Sequence, residues 1–204
     1  MPKKSNEPAQ TIRQATEGYF KDRGSRFIAY LFPIDTRAAF EARHSELKLR
    51  HADATHICWA MRLGGESRCS DDGEPAHSAG APILRQLVSR RVDRAALFVV
   101  RYFGGTKLGV PGLIHAYGAA AAAALDQAEF VEWIDKVRFV LIFPYHCTAS
   151  VGRQLKKYGA SVIGSEYAEK CQLVVEVRLE LHHQFQLSLS ECTETCTSVH
   201  GSTS

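Results

Sequence analysis

The chain has 204 residues, of which 45% are hydrophobic and 23% are charged, and its formal net charge is +3 with histidine neutral. This composition is typical of a globular protein with room for one large domain or two small ones. The charge permits a nucleic-acid partner without arguing for one, because nucleic-acid-binding surfaces are usually more basic and more clustered. No apolar run reaches the roughly 20 residues that span a bilayer, which excludes a transmembrane helix.

The N-terminal segment and the cysteines indicate where the protein is found. Residues 1–10 are polar and lack the apolar core of a secretory signal, so we expect a flexible leader over residues 1–20. Six cysteines are scattered along the chain, and none forms Cys-x-x-Cys. We therefore expect free thiols in a reducing compartment, which predicts a cytoplasmic protein without a membrane partner.

The first part of the chain alternates between strand and helix patterns. Asp35 or Thr36 is expected to cap the first helix and Ser78 the second, while an unbroken alanine run favours the third. Gly64 and Gly65 suit a hairpin turn. The predicted strands are 26–32, 55–63 and 95–103, and the predicted helices are about 36–50, 79–89 and 111–128.

A boundary is expected between residues 129 and 135, because the pattern changes there. It separates a domain at 21–130 from a second domain at 135–204. The second domain follows the order of a ferredoxin-like βαββαβ module, with a short last strand in the tail. Its predicted elements are strands at 137–143, 161–167 and 171–179 and helices at 146–158 and about 181–195.

The most distinctive segment is a glycine-rich loop between a buried strand and an alanine-rich helix. Backbone N–H groups and the positive end of a helix dipole suit an anion there. A P-loop is excluded, because Val110 and Pro111 stand where Lys-Ser/Thr is required. The alternative to an anion site is a tight turn in which Arg101 pairs with a carboxylate. The candidate phosphate- or nucleic-acid-binding residues are Arg101, Gly104, Gly105, Thr106, Lys107 and Gly109.

An acidic segment earlier in the chain is the candidate supporting loop. It could coordinate Mg²⁺, form an Asp-Gly turn with local hydrogen bonds, or pair Asp71 or Asp72 with Arg101. The third arrangement would join the two loops into one surface. No nucleophile-elbow motif is present, and we assign no catalytic residue, metal ligand or cofactor. The residues of this segment are Ser70, Asp71, Asp72 and Glu74.

Several motifs together resemble the YigZ/IMPACT family over about residues 25–128. The segment GVPGL at 109–113 departs from the family's usual GTGGL, and Pro111 removes one N–H donor from the helix end. The motifs that carry the resemblance are SDDGEP at 70–75, AGAPIL at 79–84, VVRYFGGTKLG at 99–109 and AYG at 116–118.

The resemblance implies an α+β fold and a role in translation. The first domain of the chain would be of the ribosomal-protein and elongation-factor-G domain IV type, and the second domain would be ferredoxin-like. Eukaryotic IMPACT is a translational regulator that binds the activator of an initiation-factor kinase. We expect a non-catalytic protein that contacts RNA, the ribosome or a translation-regulator protein. The alternatives are a protein-interaction module without nucleic acid and a divalent-metal phosphoester enzyme using Asp71, Asp72 and Glu74.

Overall fold

The computed structural model describes residues 10–190 and 195–199, and in the last segment the only side chain described is that of Thr197. The chain divides between Trp133 and Ile134 into two compact units, called unit 1 and unit 2 here. Both are mixed α/β. No helix within the described residues is long and apolar enough to cross a membrane.

Unit 1 is built on a five-stranded antiparallel sheet with strand order β2-β3-β6-β4-β5. A separate short pair, β1 with β7, completes it. The strands are β1 (Gln10–Ile12), β2 (Thr16–Asp22), β3 (Ser25–Pro33), β4 (His56–Leu63), β5 (Glu66–Ser70), β6 (Ala95–Tyr102) and β7 (Phe130–Glu132), and the helices are α1 (Arg37–Arg50), α2 (Gly80–Ser89) and α3 (Gly109–Asp126).

Helices cover both faces of this sheet, which explains the continuous apolar run of β6. Leu97 and Val99 pack on the side of α2 and α3, while Phe98 and Val100 pack on the side of α1. Because alternate residues of a strand point to opposite faces, a strand covered on both sides is apolar at every position.

The predicted leader is wrong for the part of residues 1–20 that the structure describes. Residues from Gln10 to Ile12 form β1, and Thr16 begins an edge strand of the main sheet. Residues 1–9 lie outside the described part. Strand β2 was missed because its only buried residue is Gly18 and its other residues are exposed or half-buried, so it lacks the apolar alternation of a strand covered on one face.

Unit 2 has the element order β-α-β-β-α-β and a four-stranded antiparallel sheet with strand order β11-β8-β10-β9. The predicted helix up to residue 195 is too long: the last helix ends at Leu189, and Thr195 begins a strand. The elements are β8 (Lys136–Phe143), α4 (Thr148–Lys157), β9 (Ser161–Tyr167), β10 (Cys171–Arg178), α5 (His182–Leu189) and β11 (Thr195–Val199).

Strand β2 and helix α3 approach each other at Gly18. A Cβ atom there would lie 2.3 Å from the backbone nitrogen of Ala124. The Thr16 hydroxyl donates to the Ala124 carbonyl oxygen over 2.8 Å. Glycine on the strand and alanine on the helix therefore permit backbone contact between the two elements.

Gly18→Ala should destabilise unit 1 by about 1–3 kcal/mol, because the new methyl group has no space against the backbone of α3. Glu17→Ala on the exposed side of the same strand should change stability by less than about 0.5 kcal/mol. Urea unfolding followed by tryptophan fluorescence measures this, since Trp59 and Trp133 both lie in unit 1. Equal stability of the two variants would contradict the close contact.

Candidate functional site

Two loops meet at one end of the unit 1 sheet, where β6 finishes. Residues 103–108 connect β6 to α3 and are called the lysine loop. Residues 71–79 connect β5 to α2 and are called the acidic loop. Arg101 near the end of β6 is opposite Phe27 near the start of β3 and His56 at the start of β4. The antiparallel pairing thus brings the lysine loop together with the β2–β3 turn and the segment before β4.

The backbone at the start of the lysine loop is firmly held. The Phe103 N–H donates to Thr55 Oγ1 over 3.0 Å, and the Gly104 N–H donates to Ser25 Oγ over 3.1 Å. A Cβ atom on Gly104 would lie 1.9 Å from the carbonyl carbon of Gly24. Glycine at position 104 is therefore required by packing against the β2–β3 turn.

The outer part of the lysine loop faces solvent. Gly105 adopts φ +90°, which favours glycine, and a Cβ atom there would meet no atom within 4 Å. Thr106 and Lys107 are exposed, and no described carboxylate lies within ion-pair distance of Lys107. Gly109 has φ +70° and begins α3, whose N-terminus has no side-chain cap. These residues remain accessible to a ligand.

Arg101 is buried, with 6% of its surface exposed. Its Nη1 donates to Glu74 Oε1 over 2.5 Å. Its guanidinium carbon lies 5.6 Å from the ring centroid of Phe27 and 5.5 Å from that of Phe103. The side chain therefore supports the loop from beneath, and its charge is compensated inside the protein.

The predicted pairing of Asp71 or Asp72 with Arg101 is wrong, because Glu74 is the partner. The Glu74 carboxylate, 9% exposed, also accepts a hydrogen bond of 2.7 Å from the Tyr117 hydroxyl on α3. Burial raises the pKa of Tyr117, and neighbouring Cys58 and Glu74 raise it further. The phenol therefore stays protonated and donates. Glu74 thus joins the acidic loop to β6 and to α3.

Asp71 caps helix α2, a role predicted for Ser78. Its Oδ1 accepts from the backbone N–H groups of Ala79 and Gly80 over 3.0 and 2.8 Å, and its Oδ2 accepts from His77 N–H over 2.9 Å. Burial alone would raise the pKa of Asp71, but these three hydrogen bonds hold it below its ordinary value. The Ser78 hydroxyl instead donates to the Pro75 carbonyl oxygen.

Asp72 fastens the acidic loop to β4. Its Oδ2 accepts from Ile57 N–H over 2.7 Å, and its carbonyl oxygen accepts from His56 Nδ1 over 2.6 Å. Its own N–H donates to Ser70 Oγ over 3.2 Å. The three carboxylates thus bind different groups: Asp71 binds backbone N–H groups at the start of α2, Asp72 binds β4, and Glu74 binds Arg101 and Tyr117. Among the residues described, no three His, Cys, Asp or Glu side chains converge as metal ligands.

A basic border next to the lysine loop was missed by the sequence reasoning. The turn formed by Arg23 and Gly24 packs against Gly104, and the Arg26 guanidinium lies 4.8 Å from the ring centroid of Tyr102. Both arginines are exposed. Only the pairing of β3 with β6 brings them to the loop, and no local motif in the sequence signals that pairing.

Comparison with known proteins identifies the family. The Impact N-terminal domain model matches residues 23–125. The chain belongs to the IMPACT family. IMPACT family member YigZ from Escherichia coli is 35% identical over 148 residues, which are 70% of this chain and 72% of that protein. This confirms the family resemblance predicted from the motifs.

Two further comparisons extend the match. The IMPACT family member in the pol 5′ region of Thermus thermophilus is 43% identical over 126 residues, which are 59% of this chain and 66% of that protein. The chain thus spans just under two thirds of that relative. A crystal structure described as a hypothetical protein aligns over 96% of this chain and 98% of its own, with 28% identity and a TM-score of 0.70.

In this IMPACT family protein, Glu74→Leu should destabilise unit 1 by about 3–5 kcal/mol, because the buried Arg101 loses its partner. Adding Arg101→Met should recover part of that loss, with a coupling energy of about 1–3 kcal/mol in a double-mutant cycle. The exposed Arg43–Glu46 pair, changed to Met and Leu in the same way, is the control and should couple by less than about 1 kcal/mol. If the two substitutions change the free energy of unfolding additively, the pairing of Glu74 with Arg101 is contradicted.

The lowered pKa of Asp71 predicts a stability difference that depends on pH. The ionised carboxylate stabilises the folded state above the unfolded pKa of about 3.9, and this contribution is lost as pH falls through the lower folded pKa. Asp71→Asn should therefore cost about 0.5–2 kcal/mol at neutral pH and progressively less in acid. Urea titrations at several pH values measure it, with the exposed Asp35→Asn as control. A difference that stays constant into acid would contradict the cap.

Proposed function

We propose that this protein is a non-catalytic binding protein that acts in translation in the cytoplasm by contacting RNA through the lysine loop. The observation that supports this proposal best is the exposed Lys107, which has no carboxylate of the described residues within ion-pair distance and lies on a loop whose first two residues are held by hydrogen bonds. RNA affinity depends strongly on such cations near phosphates. The mild net charge of +3 agrees with a local contact rather than an extended basic surface.

The proposed contacts are divided between exposed and buried residues. Gly105, Thr106, Lys107 and Gly109 would touch the phosphates, and the exposed Arg23 and Arg26 would extend the basic border. Arg101 and Gly104, which the sequence also predicts for this contact, would instead hold the loop. The supporting role belongs to Ser70 at the end of β5 and to Asp71, Asp72 and Glu74 of the acidic loop, whose hydrogen bonds fix this loop against β4, β5, β6, α2 and α3.

The translational context rests on the family. The motif resemblance implies a translational regulator, and the ribosome and regulator proteins are the partners we propose on that basis. We also propose the finer fold types for the two units. Unit 1 would be of the ribosomal-protein and elongation-factor-G domain IV type, and unit 2 would be ferredoxin-like, for which its βαββαβ order gives support. None of these assignments requires a cofactor.

A protein partner is the second candidate, and a groove between α2 and α3 favours it. The groove has a volume of about 370 Å³ and an open shape. Its walls include Arg85 and His115 but no carboxylate, which suits an acidic segment of a regulator protein. The lining residues are Pro82, Arg85, Gln86, Ile114, His115, Gly118, Ala119 and Ala122.

Lys107→Ala should weaken binding to a fluorescein-labelled RNA hairpin by roughly five- to tenfold at about 0.1 M salt. It should also lower the slope of log affinity against log salt by roughly 0.7–0.9, the value for one lost phosphate contact. Fluorescence anisotropy across a series of NaCl concentrations measures both quantities.

The exposed Lys48→Ala on α1 is the matched control and should leave affinity and slope unchanged. If neither the hairpin nor a single-stranded RNA binds, or if Lys107→Ala and Lys48→Ala behave alike, RNA contact through this loop is wrong. In that case Arg85→Glu, which reverses a charge in the α2–α3 groove, becomes the variant to test against a regulator protein.

A further inference from the structure

Phe103, the first residue of the lysine loop, carries a large apolar side chain that is 47% exposed. A single exposed aromatic residue is common on protein surfaces and needs no explanation by itself. The Phe103 ring differs from such a residue because a buried charged side chain contacts it. The Arg101 guanidinium lies over it, 5.5 Å from its centroid, and also over the ring of the buried Phe27, 5.6 Å from that centroid. One side of the Phe103 ring is therefore occupied by a buried cation, while nearly half of the side chain faces solvent.

The backbone around Phe103 is fixed before any ligand arrives. Its N–H is bonded to Thr55 Oγ1, and the next residue, Gly104, is bonded to Ser25 Oγ and packed against Gly24. Arg101 is held by Glu74. A ligand that stacks on the ring would pay little conformational entropy for ordering the site, and such preorganisation increases affinity.

The lysine loop also carries a cation. The exposed Lys107 follows Phe103 four residues later in the same loop. Sites for single-stranded nucleic acid combine these same elements, because basic groups follow the phosphates while bases stack on aromatic side chains. A duplex offers no free base face to such a ring, since its bases are stacked on one another.

We propose that Phe103 is a stacking platform for an unpaired base, so that the ligand of the lysine loop is single-stranded RNA. This inference rests on the proposed function and specifies its substrate class. The buried Arg101 beneath the ring becomes a positioning residue, because it acts on the ligand only through Phe103. The exposed Lys107 supplies the phosphate contact, which both single strands and duplexes would share.

Binding of a labelled oligouridylate of roughly 12 nucleotides, compared with a duplex of the same length, tests this inference. Phe103→Ala should weaken single-strand binding roughly 5- to 150-fold, the range for one lost base stack, while changing duplex affinity less than about twofold. Phe103→Trp should restore single-strand affinity. The salt slope should be unchanged in both variants, because neither removes a charge. Tyr19→Ala, which removes another exposed aromatic residue in unit 1, should have no effect.

A photocrosslink gives a second readout that loop destabilisation alone would not produce. RNA carrying 5-iodouridine should crosslink under ultraviolet light to the tryptic peptide of residues 102–107, which lies between Arg101 and the cleavage after Lys107. The crosslink should be lost in Phe103→Ala and retained in Phe103→Trp.

The outcomes separate the two proposals. If wild-type protein binds neither RNA, the proposed function is wrong and this inference falls with it. If Lys107→Ala weakens binding but Phe103→Ala leaves single-strand affinity unchanged, or lowers single-strand and duplex affinity equally, the stacking role alone is wrong. A crosslink confined to other peptides would overturn it as well.

Discussion

The buried ion pair between Arg101 and Glu74 connects the elements that form the two loops. A guanidinium that is 6% exposed is costly unless a carboxylate and hydrogen bonds compensate its charge. Glu74 supplies the compensating negative charge through Oε1, and the Tyr117 hydroxyl on α3 donates a hydrogen bond to the same Oε1 atom. One carboxylate therefore joins β6, the acidic loop and α3, so displacing any of these elements would leave polar groups unpaired in the interior.

This pairing determines which charges reach the surface. Arg101 and Glu74 neutralise each other, while Asp71 and Asp72 accept backbone hydrogen bonds from α2 and β4. The exposed charge on the lysine loop is consequently that of Lys107. A sum of formal charges along the two loops would be misleading, because a buried compensated pair contributes far less to the external field than an exposed lysine.

The sequence was most informative where structure follows from local pattern. The apolar run of β6, the alanine-rich α3 and the Thr36 cap of α1 follow from periodicity, propensity and capping chemistry, and the motifs identified the family. The partner of Arg101 could not be chosen, since three carboxylates lie within four residues of one another and only the fold decides which one is buried. Strand β2 was missed because its contact with α3 uses Gly18, which adds nothing to an apolar pattern. The basic border likewise depends on long-range strand pairing.

The chemistry of the lysine loop also limits how an RNA ligand could be recognised. Between Phe103 and Gly109, the polar side chains are those of Thr106 and Lys107, and the remaining residues offer backbone, an aromatic ring and a buried leucine. Discrimination among bases requires donors and acceptors directed at base edges, whereas stacking and phosphate contacts accept every base. Under the proposed function, this loop would therefore select RNA by the availability of an unpaired nucleotide rather than by sequence. Any preference for a particular RNA site would have to come from its shape or from contacts elsewhere on the protein.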